Sequence, residues 1–219
     1  MTIRYLEAAF RRLDAETLAA WREIPTAVAS DCLNRNMAMA GAIQALKPGW
    51  RLCGQARTVL PAPGDNACVH WLCSTANPGE VVVVAAGGLE DVAMLGEMVT
   101  RQSQLRNLGG IVVDGAVRDS AAVVALDLPV FCRGRTARGP HKNFGGYIDA
   151  PAAVGGVAVQ PGDLILGDED GVVVVPLAWT EAVLAAARHH LTKEERWVAA
   201  LERGERLVEL FEVGPAERS

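Results

Sequence analysis

Short apolar strands alternate with helical segments through the middle of the chain. The runs PGEVVVVAAGG, GGIVVDG and LPVFCRG are rich in β-branched or aromatic residues and are bounded by Gly or Pro, as strands commonly are. Between them, a stretch from about Gly96 to Arg106 and the segment SAAVVAL carry helical patterns. Strands that alternate with helices in this order predict an α/β core.

We predict one domain over residues 1–219, with helical segments on either side of a core at 26–178. Residues 1–25 form the first segment, as an amphipathic helix or two short helices. Apolar residues recur there at helical spacing, at Leu6, Phe10, Leu13, Leu18 and Trp21. The sequence PTAVASDCLNR then predicts a turn that leads into a helix, with Thr26 or Ser30 as its cap.

The last part of the core, PGDLILGDEDGVVVVP, predicts two strands joined by a turn. PGD and EDG supply the turn residues, and the unit should close the sheet in the manner of a hairpin. Beyond it, apolar positions recur every three or four residues from Thr180 to Leu210 among many charges. This pattern predicts a long C-terminal helix over 179–212.

The composition favours a folded domain that does not bind nucleic acid. Hydrophobic residues make up 50% of the 219 residues and charged residues 21%, which is enough apolar material for a substantial core. The formal charge is −5, from 26 acidic and 21 basic residues. Because no run of basic residues is long enough to follow a phosphate backbone, we expect no nucleic-acid partner.

The sequence also favours a cytoplasmic protein without membrane association. Its longest apolar stretches, such as Val81 to Ala86, are far shorter than the roughly 20 residues that span a bilayer. The start, MTIRYLEAAFRRLDAE, mixes acids and bases and lacks the apolar centre of a secretory signal. Five cysteines, an odd number without a CxxC spacing, suit reduced thiols better than disulfides or a metal site.

The segment VVDGAVRDS is the strongest candidate for chemistry. It places Asp114, Arg118 and Asp119 near the carboxyl end of a strand, where α/β proteins usually bind ligands. A carboxylate there could hold a hard divalent cation, and the guanidinium could bind a substrate oxygen. A surface salt bridge or a turn-capping Asp would account equally for the Arg–Asp pair alone.

The predicted helix start at Gly96 and Glu97 is a second candidate. Free backbone N–H groups and the positive end of the helix dipole would accept a substrate carboxylate without a lysine. Glu97 could orient water beside a metal or take part in proton transfer. A Glu in the first turn also stabilises a helix, so a structural role remains open.

An acidic residue, twenty intervening residues and an Arg–Asp pair form the motif of the RraA-like family. That family includes 4-hydroxy-4-methyl-2-oxoglutarate and 4-carboxy-4-hydroxy-2-oxoadipate aldolases. The chain resembles it, because Arg118 and Asp119 match the pair, while Glu97 stands where the motif usually has Asp. The stretches SDCLNR, GQARTVLPAPGDN, GGIVVDGAVRDS and PGDLILGDEDGVVVVP extend the resemblance over about residues 26 to 176.

The resemblance implies an αββα sandwich like that of swivelling phosphohistidine domains. It implies self-association as a homotrimer or a dimer of trimers, with active sites at subunit boundaries. It also implies a divalent metal, Mg²⁺ or Mn²⁺, held by Asp119, and contact between Arg118 and the pyruvyl oxygens. The substrate carboxylate would then be received by the backbone of Gly96, Glu97, Met98 and Val99.

The implied activity is that of a class II lyase, which cleaves a 4-hydroxy-2-oxo diacid to pyruvate and also decarboxylates oxaloacetate. Both reactions produce the enolate of pyruvate, whose negative charge a metal and a guanidinium would stabilise. A lysine Schiff base is not required, and Lys47, Lys142 and Lys193 lie in no apolar pattern that would lower a lysine pKa.

Other polar residues are weaker candidates. Asp65 and Asn66 match a loop near the family's site, with Asn66 as a substrate contact, although a type I turn also explains PGDN. His141 and Lys142 lie in a Gly-rich loop, predicted to be mobile, where they could meet a distal carboxylate or simply be solvated. His189 and His190 are expected to be ordinary surface histidines.

The main alternative function is a non-catalytic regulator, because one branch of the RraA-like family inhibits ribonuclease E by binding it. An acidic surface would suit that role, but a regulator has no need of the acid, Arg and Asp at this spacing. A methyltransferase is disfavoured by the absence of a GxGxG loop after a strand. A phosphohistidine carrier is disfavoured because no His lies in a convincing carrier loop.

Overall fold

The computed structural model describes residues 2–215, so residue 1 and residues 216–219 of the predicted domain lie outside the described residues. The chain folds into four layers, in the order helices, sheet, sheet, helices, which confirms the predicted α/β class and the αββα sandwich. Three separate apolar clusters, one between each pair of adjacent layers, hold the layers together.

The central sheet contains four parallel neighbours, β3 (Leu52–Pro61), β4 (Val81–Leu95), β5 (Gly110–Val117) and β6 (Val130–Arg135). Short strands complete its two edges, with β1 (Ile3–Tyr5) and β7 (Gly146–Ile148) beside β3, and β2 (Gln44–Ala45) beside β6. Three helices connect the parallel strands, and they are α3 (Ala67–Thr75), α4 (Glu97–Leu105) and α5 (Ser120–Ala125). Parallel strands require such crossover connections.

Burial on both faces of the central sheet follows from its alternating side chains. In β4, Val82 and Val84 pack in the cluster on the side of α3, α4 and α5, whereas Val81 and Val83 pack in the cluster beneath the second sheet. Because successive strand residues point to opposite faces, a strand between two apolar layers must be apolar throughout. The continuous run VVVV meets that requirement.

The second sheet layer consists of two antiparallel pairs. One is β8 (Ala152–Val154) with β9 (Val157–Val159), and the other is β10 (Leu164–Asp168) with β11 (Gly171–Val175). The β10–β11 pair confirms the predicted hairpin, and β10 also pairs antiparallel with the start of β3. The outer face of the β10–β11 pair packs against three helices, which are α1 (Ala15–Arg22), α2 (Thr26–Cys32) and α6 (Thr180–Glu202).

Both ends of the chain are less helical than predicted. Within the predicted segment 1–25, Ile3–Tyr5 is the strand β1, which pairs with β7, and only Ala15–Arg22 is helical. The predicted helix over 179–212 begins with a 3₁₀ turn at Leu177–Trp179 and is interrupted after Glu202. A short helix α7 (Leu207–Leu210) follows the break, where Gly204 adopts a φ of +91° that favours glycine.

The start of α2 also differs from the sequence prediction. Pro25 is the N-cap, and neither Thr26 nor Ser30 caps the helix with its side chain. Instead, Asp168 of the hairpin accepts hydrogen bonds from Thr26 N at 2.8 Å and Thr26 Oγ1 at 2.5 Å. A residue distant in sequence therefore satisfies the helix end, which local propensity rules do not anticipate.

No helix within residues 2–215 is long and apolar enough to cross a membrane.

A buried ion cluster joins the N-terminal strand, the central sheet and the loop after β7. Arg57 of β3 donates to Asp149 through Nε at 2.8 Å and Nη2 at 2.6 Å, and to Glu80 Oε2 through Nη1 at 2.8 Å. The Arg57 Nη2 also donates to Tyr5 Oη at 2.7 Å. Burial raises the pKa of Glu80, but Asn77 N–H and the guanidiniums of Arg12 and Arg57 outweigh it and hold that pKa below its ordinary value.

We predict that Arg57→Met lowers the free energy of unfolding by about 3 kcal/mol or more, because it leaves the Glu80 and Asp149 carboxylates buried without their main partner. Urea denaturation followed by circular dichroism measures the effect. Arg35→Met is the matched control, since the Arg35–Asp31 pair is exposed and should contribute no more than about 1 kcal/mol. Equal losses in the two variants would contradict the assignment of a stabilising role to the buried cluster.

Candidate active site

Three neighbouring parallel strands deliver polar groups to one edge of the central sheet. The loop after β3 leads to Asn66, β4 ends next to Gly96, and β5 is followed by Arg118 and Asp119. Leu95 and Val117 are paired in the β4–β5 register, and Arg118 N donates to Leu95 O at 3.0 Å. Because the carboxyl ends of parallel strands meet at one edge, residues distant in sequence become neighbours there.

A cavity of about 120 Å³ opens at this edge, and we call it the Arg118 cavity. Its walls come from the ends of β4 and β5, the starts of α3 and α4, and the loop before β7. The lining residues are Asn66, His70, Leu95, Gly96, Met98, Val99, Arg118, Asp119, Pro140 and Lys142. The structure therefore brings together six of the seven residues that the sequence analysis assigned to the site, the exception being Glu97.

Asp119 is held at the start of α5 in a left-handed conformation, with φ of 53°. Its Oδ2 accepts a hydrogen bond from Glu97 N at 3.2 Å and lies 3.5 Å from Arg118 Nε. The Asp119 carboxylate therefore contacts both the N-terminus of α4 and the guanidinium. The Asp119 side chain is 44% exposed, so a hydrogen-bond donor or a cation can reach its carboxylate from solvent.

Gly96 is required by the close approach of α4 to the Arg–Asp pair. A Cβ at this position would collide with the Asp119 carboxylate and would lie 2.9 Å from Arg118 Cγ. Glycine thus allows the free N–H groups of the first helical turn to face the same cavity as Arg118. The anion site expected at this helix start stays a prediction.

Arg118 lies between two cavities. Its side chain is 43% exposed, and a Cβ on Gly139 would lie only 2.5 Å from Arg118 Nη1, so Gly139 leaves the space that the guanidinium occupies. A second cavity, of about 380 Å³, shares Arg118 and Asp119 with the Arg118 cavity. Its remaining lining residues are Ser120, Arg135, Thr136 and Ala137. A ligand too long for the Arg118 cavity has room in that direction.

The Glu97 side chain does not line the Arg118 cavity. Its Oε1 accepts a hydrogen bond from Arg101 Nη2 at 2.7 Å, one helical turn further along α4. This is the ordinary helix-stabilising arrangement that the sequence analysis left open. The Glu97 backbone still belongs to the site through its N–H donation to Asp119, and a proton-transfer role for its carboxylate stays a prediction.

Asn66 offers an acceptor without a partner. The residue is 3% exposed, and its Nδ2 donates to Met94 O at 2.8 Å, which identifies the amide nitrogen. Among the described residues, no donor reaches Asn66 Oδ1. A buried amide oxygen that lacks a donor is costly, and it is suited to a hydroxyl, a water or a cation in the cavity.

These oxygens fit a hard divalent cation that keeps most of its shell as water. Mg²⁺ and Mn²⁺ prefer oxygen ligands, and Mg²⁺ is commonly bound through only one or two protein carboxylates. Asp119 and Asn66 both line this cavity. Within residues 2–215, no group of three His, Cys, Asp or Glu side chains could surround a metal ion. A cation in this cavity would therefore be held by the Asp119 carboxylate and by water.

His70 adds an imidazole to the cavity, and Lys142 adds a positive charge. The sequence analysis missed His70 and ranked Lys142 as a weaker candidate. His70 lies on α3, one turn after Asn66, and both residues line the cavity. Burial lowers the pKa of His70, and the positive charge of Lys142 lowers it further, so the imidazole is neutral at pH 7. His70 could have been found from the sequence, because it follows Asn66 by four positions and so lies on the same face of a helix start.

Asp65 fixes the loop that carries Lys142. Its carboxylate accepts hydrogen bonds from Asn143 N at 2.5 Å, Phe144 N at 2.9 Å and Ala67 N at 2.9 Å. Burial raises the pKa of Asp65, but these backbone donors outweigh it and hold the pKa below its ordinary value. Asp65 is therefore an ionised structural anchor, and the loop predicted to be mobile is tied to the start of α3.

Four remaining residues that the sequence analysis considered lie outside the cavity. Asp114 is in the middle of β5, where it pairs with Arg133 and accepts Gly155 N–H at 3.0 Å, so it does not reach the strand end as predicted. His141 stacks edge-on against Phe144. On α6, His190 Nε2 lies 3.3 Å from Glu194 Oε1, and His189 is exposed. Both agree with the prediction of ordinary surface histidines.

Fold and site together define an αββα protein with an arginine–aspartate pair facing a helix N-terminus at the sheet edge. Residues 26–174 match the family described as RraA-like, Aldolase/RraA. A protein from Halalkalibacterium halodurans named "Putative 4-hydroxy-4-methyl-2-oxoglutarate aldolase" is 38% identical over 182 residues, which cover 83% of this chain and 87% of that protein. The chain therefore belongs to the RraA-like family, as the resemblance predicted.

Solved structures agree with this assignment. An uncharacterized protein from Pseudomonas syringae pv. tomato is 27% identical with a TM-score of 0.83, and the match covers 95% of this chain and 99% of that one. Streptomyces coelicolor RraAS2, described as an unusual member of the RNase ES inhibitor RraA protein family, is 32% identical with a TM-score of 0.79. That match covers 86% of this chain and 99% of RraAS2. At the family level, the name of the first relative supports an aldolase.

We predict that Lys142→Met raises the pKa of His70 toward its ordinary value, because the substitution removes the nearby positive charge that disfavours the imidazolium. Burial still lowers that pKa, so the ordinary value should not be reached. Titration of the His70 ring signals by NMR, assigned with His70→Asn, measures the change. Lys193→Met on α6 is the control. An unchanged His70 pKa in Lys142→Met would show that the two side chains do not share the cavity.

Proposed function

We propose that the protein is a divalent-metal-dependent lyase that cleaves a 4-hydroxy-2-oxo diacid to pyruvate, of the 4-hydroxy-4-methyl-2-oxoglutarate or 4-carboxy-4-hydroxy-2-oxoadipate type. The observation that carries the proposal is the meeting of Arg118, Asp119 and the N-terminus of α4 in one cavity. Such a cavity supplies a guanidinium, a cation ligand and anion-binding N–H groups within the space of one small oxo acid. Oxaloacetate decarboxylation is proposed as a second activity of the same site.

Substrate binding follows from the charges around the cavity. The carboxylate next to the oxo group lies at the start of α4, where Met98 and Val99 present backbone N–H groups at the positive end of the helix dipole, while the Glu97 N–H donates to Asp119. Arg118 contacts the 2-oxo oxygen with its planar fork. The distal part of the diacid extends toward the neighbouring cavity, which includes Arg135, or toward Lys142.

Cleavage begins when the 4-hydroxyl group loses its proton to a base. The C3–C4 bond then breaks, C4 becomes a carbonyl carbon, and the bonding electrons form the enolate of pyruvate. Protonation at C3 gives pyruvate. In oxaloacetate the bond to the departing CO₂ breaks instead, and the same enolate forms. Both reactions therefore need stabilisation of negative charge on the C2 oxygen.

The side chains divide this work. Arg118 stabilises the charge on the C2 oxygen through hydrogen bonds that strengthen as the enolate forms. His70 is a neutral imidazole in the cavity wall and is available to accept or donate the proton. The Glu97 carboxylate, which the sequence analysis predicted for this role, is hydrogen-bonded to Arg101 instead. Asp119 would hold a divalent cation, with Asn66 facing the same space. Bound there, such a cation supplies Lewis-acid stabilisation of the substrate oxygens.

A non-catalytic regulator is the second candidate function. It is favoured by the similarity to Streptomyces coelicolor RraAS2, which is described as a member of an RNase ES inhibitor family. Pyruvate-release assays on a panel of 4-hydroxy-2-oxo diacids and oxaloacetate, with and without a chelator, separate the two functions. Chelator-sensitive turnover supports the lyase, whereas no turnover on any substrate together with inhibition of a ribonuclease supports the regulator.

Asp119→Asn should abolish metal-dependent turnover while the fold is retained. Asparagine tolerates the left-handed backbone at this position and can still accept the Glu97 N–H, so the variant removes mainly the negative charge. Mn²⁺ binding by isothermal titration calorimetry and pyruvate release at saturating Mg²⁺ measure the effect. Asp127→Asn, at another left-handed and exposed Asp, is the matched control. Full activity of Asp119→Asn would remove the residue from the metal site.

Arg118→Lys should lower kcat by about 100-fold or more, which corresponds to roughly 2.7 kcal/mol of transition-state stabilisation. Lysine keeps the charge but loses the planar fork that can bind two oxygens together. Steady-state kinetics with oxaloacetate and binding of oxalate, a mimic of the enolate, test this role. A higher KM with unchanged kcat would instead assign Arg118 to ground-state binding, and normal values of both would exclude it from the site.

The protein should also assemble as a homotrimer or a dimer of trimers, as the family resemblance implies. The Arg118 cavity is open, and both Arg118 and Asp119 are more than two-fifths exposed, which leaves room for a neighbouring subunit to complete the site. Sedimentation velocity measured at the concentration used for kinetics gives the assembly state. A monomer with full activity at that concentration would contradict the expectation.

A further inference from the structure

A second cavity lies at the opposite end of the central sheet. It has a volume of about 320 Å³, which is in the range of small-molecule sites. Leu52 at the start of β3, Gly79 just before β4 and Gly109 just before β5 contribute to its wall. The Arg118 cavity lies at the other ends of these strands, so the two sites are separate. We call this second site the Arg22 cavity.

The wall of the Arg22 cavity is mainly apolar and is closed by α1 and the hairpin. Trp21, Ile24, Leu52 and Leu166 form the apolar part, and all four belong to the buried core. At Gly79, no atom lies within 4 Å of the position that a Cβ would take, so the wall is open there. The cavity therefore has room for a flat apolar group beside these core side chains.

Two arginines that are exposed at the surface line this cavity. Arg22 of α1 and Arg51 just before β3 both line it, and over residues 2–215 neither forms an ion pair or a side-chain hydrogen bond. Both lie close enough to the Cys53 thiol to lower its pKa, although burial outweighs them and raises that pKa to about 11. Two like charges near one group repel each other, and an anion between them would offset that repulsion.

Two other polar groups complete the wall. Trp21 is fully buried, and its indole Nε1–H has no acceptor within the described part of the chain. A buried donor of this kind usually has a partner, so a ligand acceptor would satisfy it. Asp168 also lines the cavity, but its oxygens accept hydrogen bonds from Thr26 and from Asp170 N at 3.0 Å. The two guanidiniums still leave a net positive charge.

We propose that the Arg22 cavity binds a small organic carboxylate with a flat apolar body. The carboxylate lies between the guanidiniums of Arg22 and Arg51, which can each grip two oxygens, and the body packs on Trp21, Ile24 and Leu166. This binding site does not depend on the proposed lyase reaction, because it shares no residue with the Arg118 cavity.

Isothermal titration calorimetry on the full-length protein tests the proposal with three probes. Benzoate carries the charge and the apolar body, benzyl alcohol carries the body alone, and inorganic phosphate carries the charge alone. We expect saturable binding of benzoate, at least tenfold tighter than binding of either other probe. Equal affinity for phosphate and benzoate would overturn the ligand class, because the apolar wall would then contribute nothing.

The double variant Arg22→Gln/Arg51→Gln should weaken benzoate binding at least tenfold. Arg118→Gln is the matched control, since it removes a guanidinium from the other cavity and should leave benzoate affinity unchanged. Loss of binding in Arg118→Gln alone would place benzoate in the Arg118 cavity and overturn the proposal. Trp21 emission should also change on binding in the wild type, and that change should be absent in Trp21→Phe.

A second copy of the chain is the competing occupant of this cavity. Sedimentation velocity of the double variant distinguishes the two cases, because a small-molecule site leaves the assembly state unchanged. Dissociation of the assembly in Arg22→Gln/Arg51→Gln would assign the arginines to a subunit interface and overturn the proposal. Lyase activity is measured separately, so failure of the proposed function does not affect this test.

Discussion

The parallel pairing of β4 with β5 is the constraint on which the rest of the site depends. Leu95 lies opposite Val117, so the residues that follow each strand emerge side by side. Helix α4 begins at once after β4, and its N-terminus therefore faces the Arg118–Asp119 turn. The twenty residues between Glu97 and Arg118 are the length of one helical crossover, which explains the spacing of the motif in physical terms.

Close packing sharpens this arrangement. Gly96 and Gly139 leave the space in which the Asp119 carboxylate and the Arg118 guanidinium lie, so larger residues there would displace the charged groups. Asp65 orders the loop before β7, and this loop brings Lys142 to the wall of the Arg118 cavity. The polar groups of the site are thus held by backbone contacts, and this holds them in place before a substrate arrives.

The charged clusters of the protein differ in how completely they are paired. Arg57, Glu80 and Asp149 are buried and fully paired, as expected of a structural cluster that joins layers. Arg118 and Asp119 are partly exposed, and Arg22 and Arg51 lack acidic partners within residues 2–215. Incomplete pairing beside a cavity distinguishes these side chains from the structural cluster, and this difference is invisible in the composition.

The sequence by itself determined the α/β class, the order of strands and helices in the core, and the pairing of Arg118 with Asp119 after a strand. These features follow from local patterns, since apolar runs, glycine turns and helical spacing act over a few residues. The hairpin of β10 and β11 was predicted for the same reason, because its turn residues lie next to the strands they join.

Tertiary structure alone decided which groups share a cavity and which ends of the chain are helical. Ile3–Tyr5 became a strand because β7 offered an edge, and Asp168 replaced Thr26 as the cap of α2. His70 joined the site and the Glu97 carboxylate turned to Arg101 because neighbouring elements set their surroundings. Such outcomes depend on contacts between residues far apart in sequence, which periodicity and propensity do not encode.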